Sequence, residues 1–368
     1  MKLVIFGLSV SSSWGNGHAT LWRGLIRAFA ARGHRIVFYE RDVPYYASHR
    51  DLTELPGLDL VLYPDWEAVA GAARRNLDDA DVAIVTSYCP DGIAASEEAL
   101  NSGAQLRVFY DLDSPVTLDR LGRGEPIAYI GPRGLRDFDL VLSYTGGRAL
   151  DQLRERLGAV RVAPLYGSVD PEVHRPVAPA AHYSADLSYL GTYAEDRQDA
   201  LEALLVTPAR LLPDRRFVIG GALYPHDFPW TANIMFVRHL PPAEHPAFYS
   251  SSRLTLNITR RAMARMGYCP SGRLFEAAAC GTAIITDSWD GLAEFFAPGS
   301  ELLLARGSDD VVEAIGSPAG ELEKIGRAAR ERTLAEHTAE HRAREMERLF
   351  ESALRPAGQA AGGAPVEV

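Results

Sequence analysis

Short runs of Val, Ile and Leu recur along the chain, and helical patterns separate them. KLVIFG is followed by the helix pattern ATLWRGLIRAFAARG and then by RIVFYE; VAIVTSY, LRVFYD and LVLSYT continue the series, each leading into a helix or loop. Strands that are apolar at consecutive positions are buried on both faces, so the pattern predicts parallel sheets covered by helices. The second half repeats it with LSYLGTY, RFVIGG, IMFVRHL, LTLNIT and TAIITD. Between the halves, PLYGSVDPEVHRPVAPAAH (residues 164–182) is rich in proline and lacks periodicity, which reads as an interdomain linker. The charged stretch LEKIGRAARERTLAEHTAEHRAREMERLFESAL predicts a closing helical segment, whose helices are expected to pack near the first domain, and PAGQAAGGAPVEV predicts a disordered tail. The fold class expected is α/β: two doubly wound, Rossmann-like domains, residues 1–165 and 166–355, facing across a cleft, with 356–368 as the tail. Ligands of such sheets bind outside the carboxyl ends of the strands.

Composition narrows the function. With 368 residues there is room for two cores, and 47% hydrophobic with 23% charged residues describes an ordinary soluble protein. A net charge of −10 argues against nucleic acid or an anionic membrane as the main partner, while allowing a local basic pocket. Cys89, Cys269 and Cys280 have no metal-ligand spacing and cannot all pair, which fits a reducing cytoplasm. The start MKLVIFGLSV is too short and strand-like for a signal peptide, and no run of about twenty apolar residues is present, so a cytoplasmic protein without a transmembrane segment is expected.

The chemistry concentrates in GYCPSGRLFEAAACGTAIITD, residues 267–287. A helix opening near Ser271 carries Glu276 among Phe, Leu and Ala and runs into a buried strand, where a carboxylate needs a partner. Two vicinal hydroxyls would suit it; a pairing with Arg273 or a loop cap is the alternative. Ser271 can cap this helix, leaving the amides of Gly272, Arg273 and Leu274 as donors for a diphosphate. Arg197, in a loop after the strand that carries Gly191 and Tyr193, can bind phosphate bidentately or pair with Glu195 or Asp196. Arg261 and Arg265 are looser candidates.

Several of these segments resemble retaining glycosyltransferases of family four, and more closely their CgeB-like branch. GSVDPEVHRP is similar to the family's Asn-Gly-Val-Asp…Phe-x-Pro linker, and YLGTYAEDR to its Gly-Arg-Leu…Lys loop, with Thr192 in the arginine place and Arg197 in the lysine place. RLFEAAACGTAIITDSWDGLAEFF resembles its Leu-Glu-Ala-Met-Ala-x-Gly run and the Gly-Gly-x-x-Glu beyond. The resemblance implies the GT-B fold, a nucleotide-sugar donor held by the second domain, and Glu276 as the acceptor of ribose hydroxyl hydrogen bonds. The family's first glutamate falls at Tyr268, which leaves the sugar open; Tyr268 can offer a hydroxyl to it or serve as packing.

The amino-terminal wall is expected to come from GLSVSSSWGNGHAT, where Gly15 and Gly17 bring backbone amides near a ligand and Asn16 and His18 line the cleft. Glu40, ending the second strand, fits a dinucleotide fingerprint, but Thr20 stands where its third glycine belongs, so a dehydrogenase is set aside. Asp111 and Asp113 follow another strand, and Asp113 is a candidate to orient an acceptor hydroxyl. The expected activity is transfer of a sugar from a UDP- or dTDP-linked donor to a small-molecule, glycan or protein acceptor, with no cofactor, metal ion or nucleic acid. Arg197, His18 and Asp113 are the candidate catalytic residues. Retention is what the resemblance implies; in an inverting enzyme His18 or Asp113 is the natural base. A nucleotide-sugar epimerase or hydrolase, or a non-catalytic sugar-nucleotide-binding protein, is the alternative.

Overall fold

The structure is a computed structural model, described here for residues 1–355. The expected tail, 356–368, lies outside the described residues. Two parallel sheets form, and each owes its place to runs of buried aliphatic residues. The first contains β1 (Lys2–Gly7), β2 (Arg35–Arg41), β3 (Leu58–Tyr63), β4 (Val82–Thr86), β5 (Leu106–Asp111), β6 (Leu140–Ser143) and β7 (Val162–Pro164), in the order β3-β2-β1-β4-β5-β6-β7. The second contains β8 (Leu187–Leu190), β9 (Phe217–Gly221), β10 (Ile234–Arg238), β11 (Leu254–Asn257), β12 (Ala283–Thr286) and β13 (Leu303–Leu304), in the order β10-β9-β8-β11-β12-β13.

Strand order reverses between β1 and β4 in one sheet and between β8 and β11 in the other. Chains leaving these neighbours diverge to opposite faces and leave a crevice at the strand ends, the usual ligand position in open α/β sheets. Both β1 and β4 are buried along nearly their whole length, and each sheet has a separate apolar core on each face.

Three strands had no clear signal in the sequence. β3 is an edge strand, half-exposed and interrupted by Asp59, whereas β7 and β13 span only three and two residues. The closing segment, continuous in its charge pattern, forms two helices, Ala319–Glu336 and Ala339–Leu354. The break has a local cause. Thr338 takes an extended conformation and its hydroxyl accepts from the His341 amide, starting a new helix. On either side of it the Val169 amide donates to the His337 carbonyl, and the Ala339 amide to the Val169 carbonyl. The chain therefore crosses back here, and the last helix packs Ala343, Met346 and Phe350 into the core of the first sheet beside Trp22, Leu25 and Phe29. No helix among the described residues is long and apolar enough to cross a membrane.

Candidate active site between the two sheets

Loops that follow the switch-point strands of both sheets line one cavity of about 530 Å³. The first-domain wall is built by the segment after β1. Fully buried Glu40 accepts from the amides of Val10 (2.7 Å) and Ser11 (2.9 Å) and from the hydroxyls of Ser9 (3.0 Å) and Ser11 (2.6 Å). That carboxylate folds the loop, a role the sequence pattern did not disclose. The loop then turns at Gly15, where φ is +59°. Asn16 caps the helix Gly17–Ala31 by accepting from the His18 amide at 3.0 Å, and its side-chain amide donates to the Ser9 and Ser12 carbonyls. Gly15, Asn16 and Gly17 all line the cavity as expected, but the Asn16 side chain is committed to the loop.

His18 sits in the first turn of that helix, and its Nε2 lies 3.0 Å from Asp113 Oδ2. Asp113 arrives from the end of β5. The strand's alternation turns Asp111 inward, where it is fully buried and accepts from the Asp113 amide at 3.0 Å; burial pushes the Asp111 carboxyl up to about 6. Only Asp113 of the pair reaches the cavity. Hydrogen bonding to the carboxylate fixes the proton on Nε2 and leaves Nδ1, which has no partner among the described residues, as the basic nitrogen.

The second-domain wall is cationic. Arg197, 7% exposed in the turn after β8, donates to the Tyr189 hydroxyl (3.0 Å) and the Thr192 carbonyl (2.9 Å), and its Nε has no partner. Burial and the neighbouring Arg273 and Arg260 depress its pKa. Neither the Glu195 nor the Asp196 pairing forms for Arg197. Arg273 donates to the Leu190 carbonyl and, at 3.2 Å, to the Ser271 hydroxyl, with its guanidinium 5.8 Å from the Tyr189 ring centre. Gly191 makes this possible, since a Cβ there would lie 2.6 Å from Arg273 Nη1. Arg260, not Arg261 or Arg265, is the third cation in the cavity, 3.5 Å from Asp196; Arg261 and Arg265 are exposed.

Glu276 projects from the helix Gly272–Ala279 into this cavity. Arg273 is turned away to Leu190, and no described residue donates a hydrogen bond to Glu276. Its nearest cationic or imidazole atoms are His245 Nδ1 at 3.9 Å and His174 Nε2 at 4.0 Å. Burial raises its pKa against the opposing pull of His245 and Arg273. At the helix start Ser271 is the cap position, but its hydroxyl accepts from Arg273 rather than from a backbone amide. The Leu274 amide is taken by the Ser271 carbonyl at 3.0 Å, so the Gly272 and Arg273 amides are the free donors.

Two expected ligand contacts do not reach the cavity. Tyr268, at φ +48°, packs on Gly147 and Gly291, and Glu294 beside its hydroxyl raises its pKa. Tyr193 joins Tyr224 and Phe228 in an aromatic cluster at the sheet edge, because its side chain follows the apolar face of that segment. The sequence reading missed His174, His245 and Arg260. His245 carried a usable signal, as it opens a helix between prolines 242 and 246 just after a strand.

Residues 197–348 match the family model described as glycosyl transferase-like. Sucrose-phosphate synthase from Thermosynechococcus elongatus superposes with a TM-score of 0.69 at 14% identity, covering 95% of this chain and 98% of that one. Anabaena HepE in complex with UDP and glucose gives 0.66 at 12% identity, covering 96% and 100%. An alpha-glucosyltransferase in complex with UDP-glucose and DNA gives 0.68 at 12% identity, covering 95% and 99%. The chain has the GT-B glycosyltransferase fold. Its second domain carries the glycosyl transferase-like match, and that GT-B half supplies Arg197, Arg260, Arg273 and Glu276. Comparison of the sequence with curated proteins gives no match.

Proposed function

We propose that the protein transfers a sugar from a nucleoside diphosphate donor, UDP- or dTDP-linked, to a hydroxyl of an acceptor held against the first domain. The carrying observation is the pair of guanidiniums, buried Arg197 and half-buried Arg273, which have no carboxylate partner among the described residues and share a cavity with Glu276, to which no described residue donates a hydrogen bond. Buried charges without partners are costly, and a diphosphate with a ribose diol would satisfy all three groups. The free amides of Gly272 and Arg273 add donors at a helix N-terminus. These fixed positive groups supply the charge compensation that a divalent ion supplies elsewhere, so transfer proceeds without one. Solved neighbours bound to UDP or UDP-glucose support this reading of the donor.

UDP is expected to raise the melting temperature in the presence of EDTA. A ligand at a hundredfold its dissociation constant contributes about 2.7 kcal/mol. Glu276→Gln should weaken UDP about tenfold to a hundredfold, as a hydrogen bond to a charged group is worth roughly 1.5–3 kcal/mol, with the fold intact. A shift abolished by EDTA, or a variant that melts early yet binds normally, removes the site as drawn.

The resemblance to family-four, CgeB-like enzymes implies retention, in which the leaving phosphate takes the acceptor proton. The His18–Asp113 pair favours a second reading, inversion, because it places an oriented imidazole opposite the arginines. The acceptor screen should include DNA beside small hydroxyl compounds, glycans and proteins, since one neighbour is a DNA-bound glucosyltransferase.

A further inference from the structure

We propose that His174, His245 and Glu276 form a binding site for a zinc-type divalent cation, and that its occupation excludes the nucleotide donor. His174 comes from the linker and is 2% exposed, yet neither of its ring nitrogens has a partner among the described residues. His245 opens the short helix His245–Ser250 and its Nδ1 is also unpartnered. Buried polar atoms are nearly always satisfied, so two orphan nitrogens beside one carboxylate, His174 Nε2 and His245 Nδ1, point to a missing ligand. The donor atoms of the three residues all lie within 4.8 Å of one another, with the carboxylate 3.9 Å and 4.0 Å from the two imidazoles.

A tetrahedral zinc with bonds of about 2.0–2.1 Å holds its ligands about 3.4 Å apart, so modest side-chain rotations close the triangle. Two imidazoles and a carboxylate suit zinc or cobalt, whereas magnesium prefers oxygen ligands and keeps its waters. Burial lowers the pKa of both histidines, His174 to about 4, and so keeps them in the neutral form that binds metal. The cavity side of the triangle, where His245 and Glu276 line the wall, leaves a fourth position for water. An ion there occupies the carboxylate assigned to the ribose. The competition rests on the proposed function; the metal site does not.

The test is titration of the metal-free full chain with Zn²⁺ at pH 7 by calorimetry, repeated with Co²⁺ by visible absorption. One ion per chain is expected, weakened at least tenfold by His174→Ala and by His245→Ala and unchanged by His226→Ala at an exposed position. Mg²⁺ should give no heat. Wild-type affinity in the two histidine variants, or equal affinity for Mg²⁺, overturns the site; if His174→Ala does not fold by circular dichroism, His245→Ala decides alone. Saturating UDP should weaken Zn²⁺ at least tenfold, and unchanged zinc affinity with UDP bound overturns the exclusion. Failure of UDP to bind at all counts against the donor reading, while the histidine variants still decide the metal site.

Discussion

Replacing His18 with alanine is expected to cut turnover by about a hundredfold to ten-thousandfold, the range of a positioned general base. The dissociation constant for UDP should stay within about a factor of three, because His18 and the arginine-lined wall belong to different domains. Asp113→Asn should give a loss of similar size, since an amide N–H facing Nε2 moves the ring proton to Nδ1 and no longer stabilises the imidazolium that forms. The anomeric configuration of the product, read by proton NMR, joins the kinetics to stereochemistry. An inverted product together with a large His18 loss supports the base. A retained product with turnover reduced less than tenfold returns the proton to the leaving phosphate and leaves His18 a wall residue.

Between pH 6.5 and pH 4, His337 should pull stability down on acidification, while the buried carboxyls Asp111, Glu276 and Asp287, held above their ordinary range, pull the other way. His337 is buried at the break between the closing helices, with its ring against Phe275 and Phe296. Arg342 donates to its Nδ1 at 3.0 Å, so the remaining proton sits on Nε2, 3.3 Å from the Phe295 carbonyl. Charging the ring would end the first bond and set two cations together. Burial first, and then Arg342, lower its pKa to about 3; burial lowers that of His174 to about 4. An unfolded histidine takes its proton near pH 6.5. Between these values the unfolded chain binds more protons at each of the two histidines, so their contribution to stability rises with pH. The contribution is complete above pH 6.5 and is lost on acidification, at about 1.4 kcal/mol per pH unit for each histidine. Urea midpoints of wild type and His337→Gln at pH 7, 6 and 5 should show the difference in stability between the two proteins shrinking on acidification by up to about 1.4 kcal/mol per pH unit, with the variant less stable at pH 7. A difference that stays constant across the three pH values would remove His337 as a titrating contributor.

Much of the architecture is legible in apolar runs, because a strand buried on both faces has no polar positions to obscure it. Edge strands are not, since β3 carries Asp59 as its second residue and β7 is three residues long. Among site residues, Glu276 stands out in sequence because a carboxylate breaks an apolar helix face, and Arg197 because a loop arginine follows a glycine. Glu40 shows the opposite case. Its position at a strand end suited a ribose-binding acid, but its purpose depends on four donors from a loop about thirty residues away, which only folding brings to it. His174 is hidden for the same reason: a linker histidine acquires chemistry only when a helix a hundred residues later places Glu276 beside it. Tyr268 and Tyr193 failed through direction rather than position, as neighbouring loops reach the cavity while their side chains turn to other surfaces.

The return of the last helix to the first sheet has a consequence for synthesis of the chain. Residues 1–165 contain every strand of that sheet, yet Ala343, Met346 and Phe350, which cover Trp22, Leu25 and Phe29, leave the ribosome only after every strand of the second sheet. The amino-terminal half therefore emerges with an uncovered apolar face and waits for more than 170 residues of further chain, read from its numbering, before it can be sealed. Domains usually complete folding in the order they are made; here the first cannot be completed until the strands of the second have been made.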